Sequence, residues 1–148
     1  MADNYHASAV LAGDRGVLVA GASGSGKTEL CLALLDHCRL WGKLARLVCD
    51  DQVLLSTAGG RLIATAPETI FGLVEVRGLA PRPIPTEPRM VVDLFVQLVP
   101  PPQSPRFAEE RTQELAGCLV PRLDLPASDA RHAVTAIAAW LKIAPFST

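Results

Sequence analysis

A glycine-rich loop near the amino terminus constrains this chain more than any other feature. Residues 21–30 read GASGSGKTEL and satisfy the pattern G-x-x-x-x-G-K-[ST]. The preceding residues 16–20 are typical of a short buried strand, and residues 28 to about 40 favour a helix. Strand, glycine-rich turn and helix together are the context in which this pattern binds phosphate. The sequence therefore predicts a nucleotide-binding domain.

Each part of the loop has a predicted task. Backbone N–H groups of the glycine-rich turn surround phosphate oxygens, and the helix N-terminus adds its partial positive charge. Lys27 is expected to reach the β- and γ-phosphates, and the Thr28 hydroxyl is expected to bind Mg²⁺. The predicted nucleotide-binding residues are Gly21, Ala22, Ser23, Gly24, Ser25, Gly26, Lys27 and Thr28.

Length and composition limit the class of protein. The 148 residues suit one domain over residues 1–148, and 49% hydrophobic with 20% charged residues is typical of a globular chain. A net charge of -1 argues against general electrostatic binding to nucleic acid or to anionic lipid. The chain has no evident signal peptide and no apolar stretch of membrane-spanning length. The four cysteines contain no C-x-x-C pair, so we expect a cytoplasmic protein without a zinc site or disulfide framework.

The remaining elements follow from hydrophobic alternation and turn residues. Together they predict an α/β domain in which strands and two helices are arranged around the phosphate loop. Prolines between residues 81 and 88 are so dense that no regular element is expected there. The predicted strands are 8–12, 16–20, 45–49, 53–55, 61–64, 90–99 and 118–125, and the predicted helices are 28–40, with Gly42 as a cap, and 129–142.

The pair Asp50-Asp51 follows directly after the apolar strand 45–49. Carboxylates at that position can face the phosphate loop. Because adjacent strand residues point in opposite directions, we expect the two to differ in role. One of the two would reach a metal ion directly or through water, and the other would accept the proton of an incoming hydroxyl. The alternative is a pair of acidic turn residues without a catalytic role.

Other candidates carry little weight by themselves. Glu75 and Arg77 form a Glu-x-Arg cluster of the kind that is usually a surface ion pair. His6 stands at the start of the first predicted strand, where a histidine is more often structural. Arg106 lies in a proline-rich loop and is either a charge-stabilising or a solubilising residue. We interpret His37 and His132 as structural.

The order of four segments along the chain supports a functional role for these candidate residues. His6 precedes the strand 16–20 by ten residues, and GASGSGKTE, RLVCDDQV and GLVEVRGL follow in turn. Over about residues 6–80 this order resembles the catalytic domain of HPr kinase/phosphorylase. The resemblance implies a P-loop fold with a mixed central sheet flanked by helices. It also implies that MgATP phosphorylates a serine of HPr, a small phosphocarrier of the sugar phosphotransferase system, and that inorganic phosphate reverses the reaction in many members.

The resemblance also assigns roles. It implies that Asp51 is the base that takes the serine proton, while Lys27 neutralises the transferred group. Thr28 and Glu75 would hold Mg²⁺, and Asp50 is then the aspartate that reaches the metal. His6 would lie near the acceptor, and Arg106 would assist the phosphorylase direction.

The chain departs from the family pattern at several positions, and these leave the reverse reaction and the oligomeric state open. The late family segment aligns with residues 126–132, where Asp129 is expected to repel phosphate and to weaken the reverse reaction. The chain resembles short forms that begin at the catalytic domain, and homo-oligomer formation is left open. Two alternatives to an HPr-like carrier kinase remain. One is an ATP-sensing module without catalysis, and the other is a small-molecule kinase, which the proline-stiffened segment 81–89 disfavours.

Overall fold

The computed structural model describes residues 2–107 and 111–146. Within them two α-helices are α1 (Lys27–Leu40) and α2 (Ala130–Leu141). The strands are β1 (Asp3–Tyr5), β2 (Ala7–Ala12), β3 (Arg15–Ala20), β4 (Ala45–Cys49), β5 (Val53–Ala58), β6 (Arg61–Thr65), β7 (Leu73–Val74), β8 (Arg82–Pro83), β9 (Arg89–Val91), β10 (Leu94–Val99), β11 (Arg111–Leu115) and β12 (Cys118–Pro126). Two single-turn 3₁₀ helices cover Glu68–Ile70 and Pro101–Gln103.

A mixed six-stranded sheet forms the middle layer, with the strand order β11-β12-β10-β3-β2-β4. Strand β10 runs parallel to β3 and to β12, whereas β2 runs antiparallel to both β3 and β4. The carboxyl ends of β3, β4, β10 and β12 therefore lie at one edge of the sheet. The amino end of β2 lies at that same edge, so the start of one strand meets the ends of four others there.

The two faces of this sheet are covered differently. Along β3 the side chains alternate, so Val17 and Val19 pack on the helical side with Leu34 of α1 and Ile137 of α2. Leu18 points to the other side, into a second core cluster. There a four-stranded antiparallel sheet, β1-β5-β6-β9, covers the six-stranded sheet. The predicted mixed sheet with helices is confirmed, and the second sheet is an addition that the sequence did not indicate.

Both helices begin and end close to the predicted positions. Gly42 has φ 71°, and its N–H donates to Arg39 while the Lys43 N–H donates to Cys38, which closes α1. The Asp129 side chain accepts a hydrogen bond from the His132 N–H and caps the start of α2. Within residues 2–107 and 111–146, neither helix is long and apolar enough to cross a membrane.

The prediction of one strand over residues 90–99 is wrong. That stretch divides into β9 in the four-stranded sheet and β10 in the six-stranded sheet. The break occurs at Asp93, whose backbone N–H and carboxylate both bond to the backbone of Gly16. A Cβ on Gly16 would lie 1.9 Å from the Val91 carbonyl oxygen, so only glycine allows the two sheets this close approach.

The prolines between residues 81 and 88 do not exclude all pairing, contrary to the prediction. The two-residue strand β8 pairs with β7, and Thr86 forms a bridge with Leu47 at the outer edge of β4. Each contact is short because proline lacks the N–H that a longer ladder needs. Strands β1 and β11 were also absent from the prediction.

Alkaline pH should destabilise this fold through its buried thiols. Burial raises the pKa of Cys49 to about 12 from an ordinary value of 9.0, and burial also raises the pKa of Cys31 and of Cys38. Below the ordinary pKa both the folded and the unfolded chain keep these protons, so the stabilising contribution is fully present. As the pH rises further, the unfolded chain releases protons that the folded chain retains, and stability is lost towards the folded pKa.

We expect the urea midpoint to fall between about pH 9 and about pH 11 because of this difference in proton release. The Cys49→Ala variant should show a shallower fall across the same range, since one of the thiols is gone. Circular dichroism during urea titration measures both slopes. Identical slopes for the two proteins would show that Cys49 does not contribute.

Candidate active site

The phosphate loop connects β3 to α1, as predicted. Gly24 and Gly26 have φ values of 80° and 95°, in the left-handed region that favours glycine. At Gly21 the restriction is space, because a Cβ would lie 2.6 Å from Ser25 Oγ and 3.0 Å from the Leu98 side chain. Of the three glycines in the loop, backbone conformation therefore requires two, and close packing requires the third.

Lys27 is the first residue of α1, and its side chain is only 6% exposed. Its ammonium group donates to the carbonyl oxygens of Gly21 and Ala22, at 3.1 and 3.4 Å. The same nitrogen lies 3.5 Å from a carboxylate oxygen of Asp51. A buried positive charge is thus held above the loop by three oxygens, in reach of whatever anion the loop binds.

Asp50 is buried and accepts hydrogen bonds from three separate segments. The Thr28 hydroxyl donates to its Oδ1 at 2.8 Å, and the Ser8 hydroxyl donates to the same oxygen at 3.1 Å. The backbone N–H of Glu75 donates to Oδ2 at 2.9 Å. These bonds orient the Thr28 hydroxyl and fix the start of the 75–79 segment beside the phosphate loop.

Asp51 differs from its neighbour in both exposure and contacts. Its side chain is 51% exposed, and its Oδ1 lies 2.5 Å from His6 Nε2 as well as 3.5 Å from Lys27 Nζ. The two side chains thus have different surroundings, and their predicted difference in role stays a prediction, but strand alternation is not what separates them. Both lie in a bend after β4, and Asp51 has φ 67°, so a turn separates the side chains rather than strand alternation.

The topology of the sheet explains why His6 reaches this place. His6 immediately precedes β2, which runs antiparallel to β3 and β4. Its imidazole therefore lies at the edge where those strands end. The structure brings His6, Asp51 and Lys27 into one chain of contacts, although 45 residues separate the first two along the sequence.

A cavity of about 480 Å³ opens in front of the phosphate loop. The loop and the start of α1 form one wall, and residues 75–79 form another. Ser128 and Ala130, from the turn between β12 and α2, form a third. The Ser128 N–H donates to the Ser25 carbonyl at 2.9 Å and so ties this wall to the phosphate loop.

The oxygen atoms in this cavity and directly beside it are the kind of metal ligand that Mg²⁺ prefers. Thr28 and Asp50 are hydrogen-bonded to each other, and Glu75 lines the same cavity. Magnesium prefers hard oxygen ligands and is usually held by one or two carboxylates together with substrate phosphates. In the part of the chain that the structure describes, no cluster of three or more His, Cys, Asp or Glu residues could hold a metal by itself. The donor set therefore fits a metal that arrives with a nucleotide.

Comparison with known proteins places this site in a family. The model described as the HPr serine kinase C-terminal domain matches residues 1–81, which is more than half of the chain. The chain belongs to this family. The matched residues include the phosphate loop, the Asp50-Asp51 bend and Glu75.

Curated relatives of the family align over a shorter stretch. An HPr kinase/phosphorylase from Malacoplasma penetrans is 38% identical over 64 residues, and one from Brevibacillus brevis is 45% identical over 65 residues. Each alignment covers 43% of this chain and 19% of the relative. The alignments therefore span less than a fifth of the length of these relatives.

A solved structure matches nearly the whole chain. The structure of the Hpr(Ser) kinase/phosphatase from Coxiella burnetii superposes with a TM-score of 0.78 at 26% sequence identity. The match covers 95% of this chain and 88% of that chain. The mixed α/β fold is thus shared with this family member well beyond the residues in which the sequence motifs occur.

Several residues with predicted roles lie away from the cavity. Arg106 is exposed, its guanidinium stacks 5.6 Å from the centre of the Phe107 ring, and it is not among the lining residues. Its predicted part in the reverse reaction stays a prediction. His37 bonds to the Ala144 carbonyl, and Asp129 caps α2, so both make structural contacts.

The sequence interpretation missed three residues at this site. Ser8 bonds to Asp50, but an isolated serine within a strand gives no signal in a single sequence. Ser128 lines the cavity and has φ 58°. A positive φ at a serine cannot be predicted from the sequence. Arg77 also lines the cavity, and here the Glu-x-Arg pattern was a usable signal that was interpreted as a surface pair.

Removal of the Lys27 charge should weaken nucleotide binding. Hydrogen bonds to charged groups contribute enough that we expect Lys27→Ala to lower MgATP affinity roughly 10- to 100-fold. Isothermal titration calorimetry with a slowly hydrolysed ATP analogue and Mg²⁺ measures this change. The matched control is Lys43→Ala, an exposed lysine beyond the opposite end of α1, which should bind as the unaltered chain does. Equal losses in both variants would contradict a specific role for Lys27.

Proposed function

We propose that this chain transfers the γ-phosphoryl group of MgATP to a serine hydroxyl of an HPr-like phosphocarrier protein. The observation that carries the proposal is the Asp51 carboxylate, which contacts both His6 and Lys27 directly beside the phosphate loop. Membership of the HPr serine kinase family supports the reaction class, and the similarity to HPr kinase/phosphorylases supports the acceptor. We further propose that residues 1–148 form one domain, since both core clusters use the same six-stranded sheet.

The proposed step is an in-line displacement. The serine oxygen forms a bond to the γ-phosphorus while the bond to the β–γ bridging oxygen breaks, and ADP leaves. Asp51 accepts the serine proton, which leaves a neutral carboxylic acid next to His6. An aspartate is a weak base in water, but a base held against the reacting hydroxyl gains most of its effect from position.

The exposure of Asp51 suits a protein acceptor. Its side chain is half exposed, whereas Asp50 beside it is buried and already accepts three hydrogen bonds. A hydroxyl carried on the surface of another protein can therefore reach Asp51 but not Asp50. This division of the pair supports Asp51 as the base and Asp50 as the residue that orients the phosphate side of the site.

The other residues would control charge. Lys27 would neutralise the transferred group, and Thr28, Asp50 and Glu75 would hold the metal. When bound, Mg²⁺ would neutralise the charge on the phosphate oxygens. His6 would keep the Asp51 carboxylate turned towards the acceptor through their mutual contact.

We also propose that the phosphate-driven reverse reaction is weak. The exposed Arg106 lies outside the cavity lining, so it is poorly placed to stabilise an incoming phosphate. Asp129 adds a negative charge between Ser128 and Ala130, the two residues that form the third wall of the cavity. A carboxylate near that wall disfavours a second anion there.

The central test is the Asp51→Asn variant. Loss of a positioned general base should slow transfer about 100-fold or more, while MgATP affinity should change less than about threefold because the phosphate loop is intact. Intact mass spectrometry of the carrier follows the added phosphate over time, and calorimetry gives the affinity. Asp36→Asn, on an exposed aspartate of α1, is the matched control and should transfer normally.

Transfer by Asp51→Asn at the rate of the unaltered chain would remove Asp51 as the base. MgATP binding without any transfer by the unaltered chain would favour the ATP-sensing alternative. Phosphorylation of a metabolite in the absence of a protein acceptor would favour the small-molecule kinase.

A further inference from the structure

We propose that Ser8 is a positioning residue whose buried hydroxyl holds the Asp50-Asp51 bend in its active geometry. The inference rests on the proposed function for its catalytic consequence, because Ser8 would act through the two aspartates and not on the substrate. Neither the phosphate-loop motif nor the aspartate pair points to this residue. Its role follows from contacts that only the fold creates.

The Ser8 hydroxyl joins the two aspartates with one oxygen atom. Ser8 lies on β2 with no exposed surface. Its Oγ donates to Asp50 Oδ1 at 3.1 Å and accepts from the Asp51 backbone N–H at 2.9 Å. Since a backbone N–H can only donate, the single hydroxyl hydrogen must go to Asp50. The arrangement of donors and acceptors is therefore fixed.

The segment that Ser8 holds is conformationally strained. Asp51 has φ 67°, and the Gln52 N–H donates back to the Asp50 carbonyl at 2.9 Å. A three-residue turn with positive φ at its centre is the rarer and more strained form of the γ-turn. Such a conformation persists only when its surroundings maintain it. The bond from Asp51 N–H to Ser8 is the contact that anchors the central residue of this turn to the sheet.

The direction of the Asp51 carboxylate depends on the same turn. The carboxylate is half exposed, so little packing restricts it, and its side-chain partners are the exposed His6 and the more distant Lys27 Nζ, 3.5 Å away. The conformation of the backbone turn therefore sets the direction in which the Asp51 side chain leaves the backbone. If the turn relaxes, the carboxylate can move away from the phosphate loop without any change in the loop itself.

The local packing allows a clean test by alanine. Alanine is smaller than serine by one oxygen atom, and Val10, on the same face of β2 as Ser8, is fully buried among apolar side chains. Ser8→Ala removes one oxygen and creates little strain. It leaves the Asp51 N–H without its acceptor and removes one of the three donors to Asp50.

The first measurement tests the hydrogen bond between the Asp51 N–H and Ser8 and does not depend on enzymatic activity. Amide hydrogen exchange by NMR should show protection of the Asp51 N–H in the unaltered chain and its loss in Ser8→Ala. The Leu18 amide in β3, a strand that pairs with both β2 and β10, serves as an internal reference and should stay protected. The matched variant is Ser56→Ala, on β5 of the other sheet, which should leave Asp51 protected. Unchanged protection in Ser8→Ala would overturn the proposal.

The second measurement reads the catalytic consequence. A displaced base should lower the transfer rate roughly 10- to 100-fold, whereas MgATP affinity should remain within about threefold, since Lys27 and the loop are unaltered. A rate equal to that of the unaltered chain, or an equal loss in nucleotide affinity, would overturn the positioning role. If Ser8→Ala folds poorly, Ser8→Cys places a somewhat larger thiol at the same position, which is both a weaker donor and a weaker acceptor than the hydroxyl. Full transfer by that variant would also overturn it.

A double-mutant cycle separates positioning from a general structural effect. If Ser8 acts through Asp51, then Ser8→Ala in the Asp51→Asn background should slow residual transfer by less than about twofold. Additive losses would show that Ser8 acts independently of Asp51. If the unaltered chain transfers no phosphate to the carrier, the proposed function fails, and the exchange measurement still decides whether Ser8 holds the bend.

Discussion

The buried carboxylate of Asp50 is the interaction on which the candidate site depends. It accepts hydrogen bonds from Thr28 at the start of α1, from Ser8 on β2 and from the backbone of Glu75. Burial of an unpaired carboxylate is costly, so the three donors and the charge stabilise one another. Movement of any one of these segments would remove a hydrogen bond from the buried carboxylate and raise the cost of its burial. The start of α1, the start of β2 and the 75–79 segment therefore share a single fixed point.

The fold was predictable where local patterns decide it and unpredictable where distant contacts do. The strand before the phosphate loop, the helix after it and the hairpin of β5 and β6 follow from short-range hydrophobic and glycine patterns. The division of residues 90–99 did not, because its cause is the approach of Val91 to Gly16, 75 residues away in the chain. The sheet that forms around that hairpin was missed for the same reason, since β1 and β9 are short and pair with β5 and β6 across long separations.

The candidate site shows the same division. The loop residues and the aspartate pair carry motifs, and the topology of the sheet brings them to one edge together with His6. Ser8 carries no motif, and the positive φ of Asp51 cannot be inferred from an aspartate in an apolar context. Arg106 shows the converse, because its assignment came from resemblance alone and the structure places it outside the cavity lining.

The most direct test of this account is a crystal structure of the chain with Mg²⁺ and a non-hydrolysable ATP analogue. The account predicts that the triphosphate follows the 21–28 loop, with the terminal phosphate between the Lys27 ammonium and the Asp51 carboxylate. The metal should lie beside the Thr28 hydroxyl, on the side of Asp50 and Glu75. A triphosphate bound elsewhere, or a terminal phosphate directed away from Asp51, would contradict the claim that this edge of the sheet is a phosphoryl-transfer site.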